Sequence, residues 1–268
     1  MRKALRRLTA AVLAGVTLSF GAAAFAGPLE GGVDVAVSSA GSRQVQLSEK
    51  RAQLRDALAK VQLDSKMTVT EALLTDEAMQ KGIDLLADKA VIASGQDGAQ
   101  SFQVPLYGSA ESVAGVVFDD WNEKKPFPAP ISQVKPAGME FMEKVETSVG
   151  TTKPVVGNTH KDGCTGVIID CRELKVTPMM KANVENDWGH IVYSWHNFDY
   201  KDLCKQSVIS YVADGEAPVR AGERPITVKG LSITENGNIM LRTEDSNRIL
   251  ILNNNTGFLQ KMNVVVLL

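Results

Sequence analysis

Cysteine, histidine, aromatic residues and basic charge are all scarce in this 268-residue chain. Its three cysteines and three histidines form no C-x-x-C or H-x-x-x-H pair, so the short-spaced ligands of a zinc site are lacking. His160 and Cys164, four apart with Asp162 between them, come closest to a ligand set, with His190 and His196 downstream. No G-x-S-x-G elbow occurs, and no Gly-Lys-Ser/Thr phosphate loop accompanies Gly150 or Gly157. A Cys–His pair would have to draw on Cys164, Cys171 or Cys204, and a thiol in an apolar strand gives little thiolate. The expectation is no catalytic residue, no cofactor and no metal, hence no enzyme. An aromatic content of 6% is thin for a carbohydrate-binding surface or a peptide groove.

Long apolar runs are also missing beyond the first 26 residues, MRKALRRLTAAVLAGVTLSFGAAAFA. There Arg2, Lys3, Arg6 and Arg7 precede an apolar stretch from Leu8 to Phe20, too short to span a bilayer stably. Ala24-Phe25-Ala26 then offers the small-x-small pattern of a signal-peptidase site. Thr9, Gly15, Thr17, Ser19 and Gly21 interrupt the run and argue against a retained anchor. Cleavage is expected after Ala26, leaving Gly27 first in a chain that is periplasmic or associated with the outer envelope. No cysteine follows the site to carry a lipid. Taking the four leader cations from 29 Lys and Arg leaves 25 against 31 Asp and Glu, formally −6. That balance disfavours nucleic acid or an anionic membrane surface as partner.

Helical and strand signals alternate through the rest. A short strand is expected around 33–37. From Ser48, Leu54, Leu58 and Val61 recur at helical spacing. Thr68-Val69-Thr70-Glu71 reads as a capping box opening a helical segment that runs to about Asp88. Strands at 89–94 and 101–107 flank Gly95-Gln96-Asp97-Gly98 as a hairpin. Residues 119–163 hold Pro126, Pro128, Pro130, Pro136 and Pro154, with a helical hint only at 139–145, which suits a spacer or an extended surface segment.

The run Thr165-Gly166-Val167-Ile168-Ile169-Asp170 opens a second module as a strand buried on both faces. A hairpin follows from 179–184 and 190–195, then a helix over 199–212 carrying Leu203, Ile209 and Val212 inward. Residues 226–234 and 238–241 flank an Asn236-Gly237 turn. Thr243 is expected to cap a helix that Gly257 ends, and 262–268 forms a final strand inside a sheet. The fold class is α+β: two small modules, 27–118 and 164–268, each with helices on a mainly antiparallel sheet, joined by the Pro/Gly-rich 119–163.

On this reading Cys164 and Cys171 share one strand, roughly 23 Å apart on opposite faces, beyond the span of about 7 Å that a disulfide allows. Any internal bridge must then use Cys204, with Cys171–Cys204 the better geometry; the alternative is three buried free thiols. Asp170 and Arg172, two apart on a strand, point to one face as a structural pair or as anchors for a polar ligand.

CTGVIIDCRELKVTP, the GHIVYS strand and the terminal TGFLQKMNVVVLL together resemble the C-terminal module of the Lpp-type membrane-associated lipoprotein family of bacterial envelope proteins, which has FlgP-like flagellar assembly members. That family's block is close to T-G, three apolar residues, then D-A-R-G-L. Thr165, Gly166, Val167, Ile168, Ile169, Asp170, Arg172 and Leu174 match it, while Cys171 and Glu173 depart from it. Val104-Pro105-Leu106-Tyr107-Gly108 is similar to the close of the family's N-terminal module. The resemblance implies an exported, non-catalytic structural or assembly protein that associates with itself or with other envelope proteins. The other class is a periplasmic ligand-binding module or hydrolase with a site between the two modules, drawing on Asp170, Arg172 and the three histidines.

Overall fold

The computed structural model describes residues 29–38, 42–94, 99–130 and 163–268. The leader, the 95–98 turn, the helical hint at 139–145, His160 and Asp162 lie outside the described residues. The fold is α+β, with three sheets.

The first sheet has the order β1-β3-β2, from β1 (Gly32–Val37), β2 (Ala93–Ser94) and β3 (Gln100–Pro105), all antiparallel. Val33, Val35 and Val37 of β1 are buried and alternate with residues that are not, a half-buried strand pattern. Helix α1 (Arg43–Leu58) packs on β1 and begins five residues before the Ser48 of the apolar pattern, capped by Ser42. Its first turn is largely exposed and so adds nothing to the buried stripe that periodicity detects. Thr68 closes the expected capping box on α2 (Val69–Leu73): its hydroxyl accepts from the Glu71 amide while the Glu71 carboxylate accepts from the Thr68 amide. Asp76 caps α3 (Glu77–Lys89), and Arg51–Asp88 and Arg55–Asp84 ion pairs tie α1 to α3. The short α4 (Val113–Val117) packs on α3 where Gly82 leaves no room for a Cβ, which would meet Val116 at 2.6 Å.

Two four-stranded sheets are built from residues 167–268. In one, β5 (Asn183–Asn186) pairs antiparallel with β6 (Ile191–Ser194), as the hairpin pattern predicts, and parallel with β10 (Ile239–Leu241), which pairs antiparallel with β9 (Ser232–Ile233). The other has the order β7-β11-β4-β8 and is entirely parallel, from β4 (Val167–Asp170), β7 (Ser210–Val212), β8 (Ile226–Lys229) and β11 (Val264–Leu267). The mainly antiparallel arrangement expected of this module is corrected here. Val167-Ile168-Ile169 and Val264-Val265-Val266 have no polar alternation because both faces of a parallel sheet are covered. Val167, Ile169, Val264 and Val266 join the main core, while Ile168 and Val265 meet Val212 and Ala221 on the opposite face.

Two element boundaries also move. Only Tyr200–Lys205 of the 199–212 stretch is helical (α5), and Ser210–Val212 is a strand because it pairs with Val265–Leu267. The 226–234 run divides at Gly230 into β8 and β9, which belong to different sheets. Gly230 passes so close to Cys171 that a Cβ there would meet its Sγ at 2.6 Å. Helix α6 (Thr243–Thr256) ends on Gly257 at φ 65°, as its position predicts.

The main core runs without a break from Val33 and Leu54 to Tyr193 and Val266. Backbone bonds from Met180 N to Gln62 O, Lys181 N to Leu63 O and Gly108 N to Cys204 O join the two modules. The described start of the proline-rich stretch has no regular structure after the turn at Phe118–Trp121 and is docked on the second module: Asn197 Nδ2 donates to Lys125 O and Pro126 O, and Phe127 packs against Tyr193 and Phe198.

A candidate binding cleft between the modules

Helix α4 ends in Phe118-Asp119-Asp120-Trp121, a turn closed by the Trp121 amide on Phe118 O at 2.9 Å. The Trp121 indole then reaches across the modules and donates to Phe198 O at 2.8 Å. From the other module, β6 runs into a 3-10 turn at Trp195–Asn197 that Ser194 caps, with Asn197 Oδ1 accepting from the Ser194 amide. The cap fixes Trp195 and His196 in position. Tyr200, opening α5, donates its hydroxyl to Gly115 O at 3.1 Å. Lys181 is held by its amide on Leu63 O at 2.8 Å.

These residues enclose a cleft of about 370 Å³. One wall is Asp76, Met79, Gly82 and the Gly115–Trp121 backbone with its side chains; the other is Lys181, Trp195 and Tyr200. The rings form a continuous cluster, with centroids 5.7 Å apart for Phe118 and Trp195 and 4.7 Å for Trp121 and Trp195. His196 extends the cluster behind the lining, 5.0 Å from Trp121 and 3.8 Å from Trp195.

The electrostatics have two poles. The Lys181 ammonium lies over the Trp195 and Phe118 rings, at 5.1 and 6.0 Å, and makes no hydrogen bond or ion pair among the described residues. Burial holds its pKa below the ordinary lysine range, against the pull of Asp64 and Asp76. Asp119 and Asp120 are exposed at the rim, and their carboxylates likewise have no hydrogen-bond or ion-pair partner among the described residues. Burial, a hydrogen bond with Cys204 and the Asp119 charge push Tyr200 up to about 12, so it stays a neutral donor. Burial, then the Lys125 and Lys181 charges, lower the His196 pKa and so disfavour its imidazolium form.

The residues singled out from sequence are scattered. Asp170 and Arg172 form a bidentate pair at the end of β4, at 2.9 and 2.7 Å, with Asp214 3.8 Å from the guanidinium. His190 is exposed on the β5–β6 turn, its amide donating to Asn186 Oδ1. Asp170, Arg172 and His190 do not line the cleft, whereas His196 packs behind its aromatic lining. Cys164 and Cys171 flank β4, and both they and Cys204 are buried and unpaired, so the Cys171–Cys204 bridge is not formed. Burial pushes Cys171 up to about 12 and raises Cys204. No group of three or more potential ligands that could hold a metal occurs among the described residues. No helix among them is long and apolar enough to cross a membrane.

Trp121, Trp195, Lys181, Asp119, Asp120 and Tyr200 were not singled out from sequence. The adjacent Asp119-Asp120-Trp121 was the one local signal. A family model described as Treponema pallidum Tp0624, second domain, matches residues 166–268. That stretch takes in both four-stranded sheets, together with Lys181, Trp195 and Tyr200 of the cleft. No curated protein matches the chain.

Proposed function

We propose that this chain is an exported cell-envelope protein that acts by binding another envelope component, and that the cleft between its modules is where it binds. The observation that carries the reading is the combination of an aromatic wall with polar groups of both signs that find no hydrogen-bond or ion-pair partner among the described residues. Unpaired polar groups cost free energy when they are desolvated, so a site that keeps them beside apolar rings favours an occupant that supplies their partners. The leader-like N-terminus and the family-like 165–174 block support an envelope setting. The resemblance to the Lpp-type lipoprotein family supports a role in assembly, with flagellar assembly as one form of it. The raised thiols and the scattered histidines favour binding over hydrolysis.

A photo-crosslinking residue in place of Asp120, expressed in the full-length chain in its native host, tests this. It should capture an envelope component. The same residue at Ile251, exposed on α6 and outside the cleft, should not. Equal products from both positions, or none from Asp120, would remove the cleft from the account. Mass spectrometry of the captured chain also reads the N-terminus, which should be Gly27.

A further inference from the structure

Resting on the reading that the cleft binds, we propose that its ligand is a saccharide that sets the C–H face of one pyranose against the Trp121 side of the aromatic cluster and shares its hydroxyls between Lys181 and the Asp119–Asp120 carboxylates. The argument proceeds by elimination. A cationic ligand would bring a second positive charge against the Lys181 ammonium, which lies over the Trp195 and Phe118 rings. An anionic ligand would suit Lys181 but would meet Asp119 and Asp120 at the rim. A purely apolar ligand would leave the ammonium and both carboxylates without partners. A sugar hydroxyl is donor and acceptor on one atom, so one neutral molecule satisfies both poles. Its ring also carries a C–H face whose positive edge matches the negative face of an indole.

Size agrees with this assignment. At about 370 Å³ the cleft is at the small end of ligand sites, of the order of one or two sugar rings. The low aromatic fraction, which argued against a carbohydrate surface, is an average over the whole chain. Two of the three tryptophans, Phe118 and Tyr200 converge on this one cleft. The carboxylates lie on the exposed turn after α4, where an incoming hydroxyl need displace only water.

Isothermal titration of the mature chain with N-acetylglucosamine, chitobiose, cellobiose, maltose and lactose tests the proposal, with Nα-acetyl-lysine amide and glutamate as charged comparators. At least one saccharide should bind with a Kd between about 10 μM and 1 mM, with a change in tryptophan emission. Asp120→Asn and Trp195→Phe should each weaken that binding about tenfold. Circular dichroism would show both variants folded, and Asp120 is exposed, so its replacement leaves the core untouched. Silence from all five saccharides up to about 20 mM, binding unchanged in both variants, or a response to the lysine derivative alone would overturn the saccharide assignment. If crosslinking from Asp120 still succeeds in that case, only the ligand class falls; if it fails as well, the binding reading falls with it.

Discussion

At the scale of single residues, the Asp170–Arg172 pair shows how a suggestive spacing becomes structural. Two positions apart on an extended strand do share a face, and the carboxylate and guanidinium meet there in a bidentate fork. The pair stands at the edge of solvent, with side chains 28% and 51% exposed, so its Coulomb energy is screened. The guanidinium, first by hydrogen bond and then by charge, holds the Asp170 pKa below the usual carboxylate range. A depressed folded pKa means the stabilisation is present above the unfolded value, near 4, and is lost as pH falls through the folded value. Asp170→Asn should therefore cost about 0.5 kcal/mol at pH 7, and the difference from the parent should shrink as pH drops below about 4. Urea titrations of both chains at pH 7 and pH 3 check this. A loss several times larger, or one independent of pH, would give Asp170 a role the pair does not explain.

At the scale of elements, legibility followed locality. The Thr68 box, the Gly257 stop and the β5–β6 hairpin were readable because each is settled within a few residues. Strand β7 was not, since Ser210-Tyr211-Val212 becomes a strand only through pairing with residues 265–267, more than fifty positions away. The parallel sheet is half legible: the unbroken apolar run of β4 marks a strand buried on both faces, but its partners' direction lies outside the run itself. The cleft was least legible. Asp119-Asp120-Trp121 is contiguous, but Lys181 and the Trp195–Tyr200 segment arrive from two other places along the chain.

The start of α6 is another long-range effect. Its N-cap position is Arg242, whose side chain gives no capping bond, and Thr243 is a helical residue, not the cap expected of it. Asp187 on the β5–β6 turn does the work, its Oδ1 accepting from the Thr243 amide at 3.0 Å and from the Thr243 hydroxyl. A carboxylate at a helix start also favours the positive end of the dipole. Asp187→Ala should cost about 1 kcal/mol, the usual loss for a missing cap. Thermal unfolding of the variant measures it. A neutral substitution would mean that solvent caps α6 equally well.

At the scale of the whole molecule, the two modules share one core and are tied by a half-buried ion pair. Arg220, in the short 3-10 turn Val219–Ala221, donates to Glu30 just before β1 and to Ser207 O at 2.6 Å. The side chains are 13% and 24% exposed, and burial draws the Arg220 pKa down while the Glu30 charge opposes it. Removing the carboxylate leaves a half-buried cation that keeps only its bonds to Ser207. Glu30→Ala should therefore cost about 1–2 kcal/mol, between the loss for an exposed pair and that for a fully buried one, and calorimetry should record a single transition for parent and variant alike, because the core is continuous across both modules. Two separated transitions would mean that the modules unfold independently and that the cleft is not held rigid by their packing.

The central claim, that this chain works by binding in the cleft between its modules, is tested most directly by the indole N–H signals of the mature protein. Its three tryptophans make an internal control: Trp121 and Trp195 wall the cleft, while Trp188 on the β5–β6 turn does not line it. Titration with a soluble envelope extract of the native host should shift the Trp121 and Trp195 signals and leave Trp188 in place, and Trp195→Phe should reduce the response at Trp121. Three unmoved signals, or a shift confined to Trp188, would contradict the account.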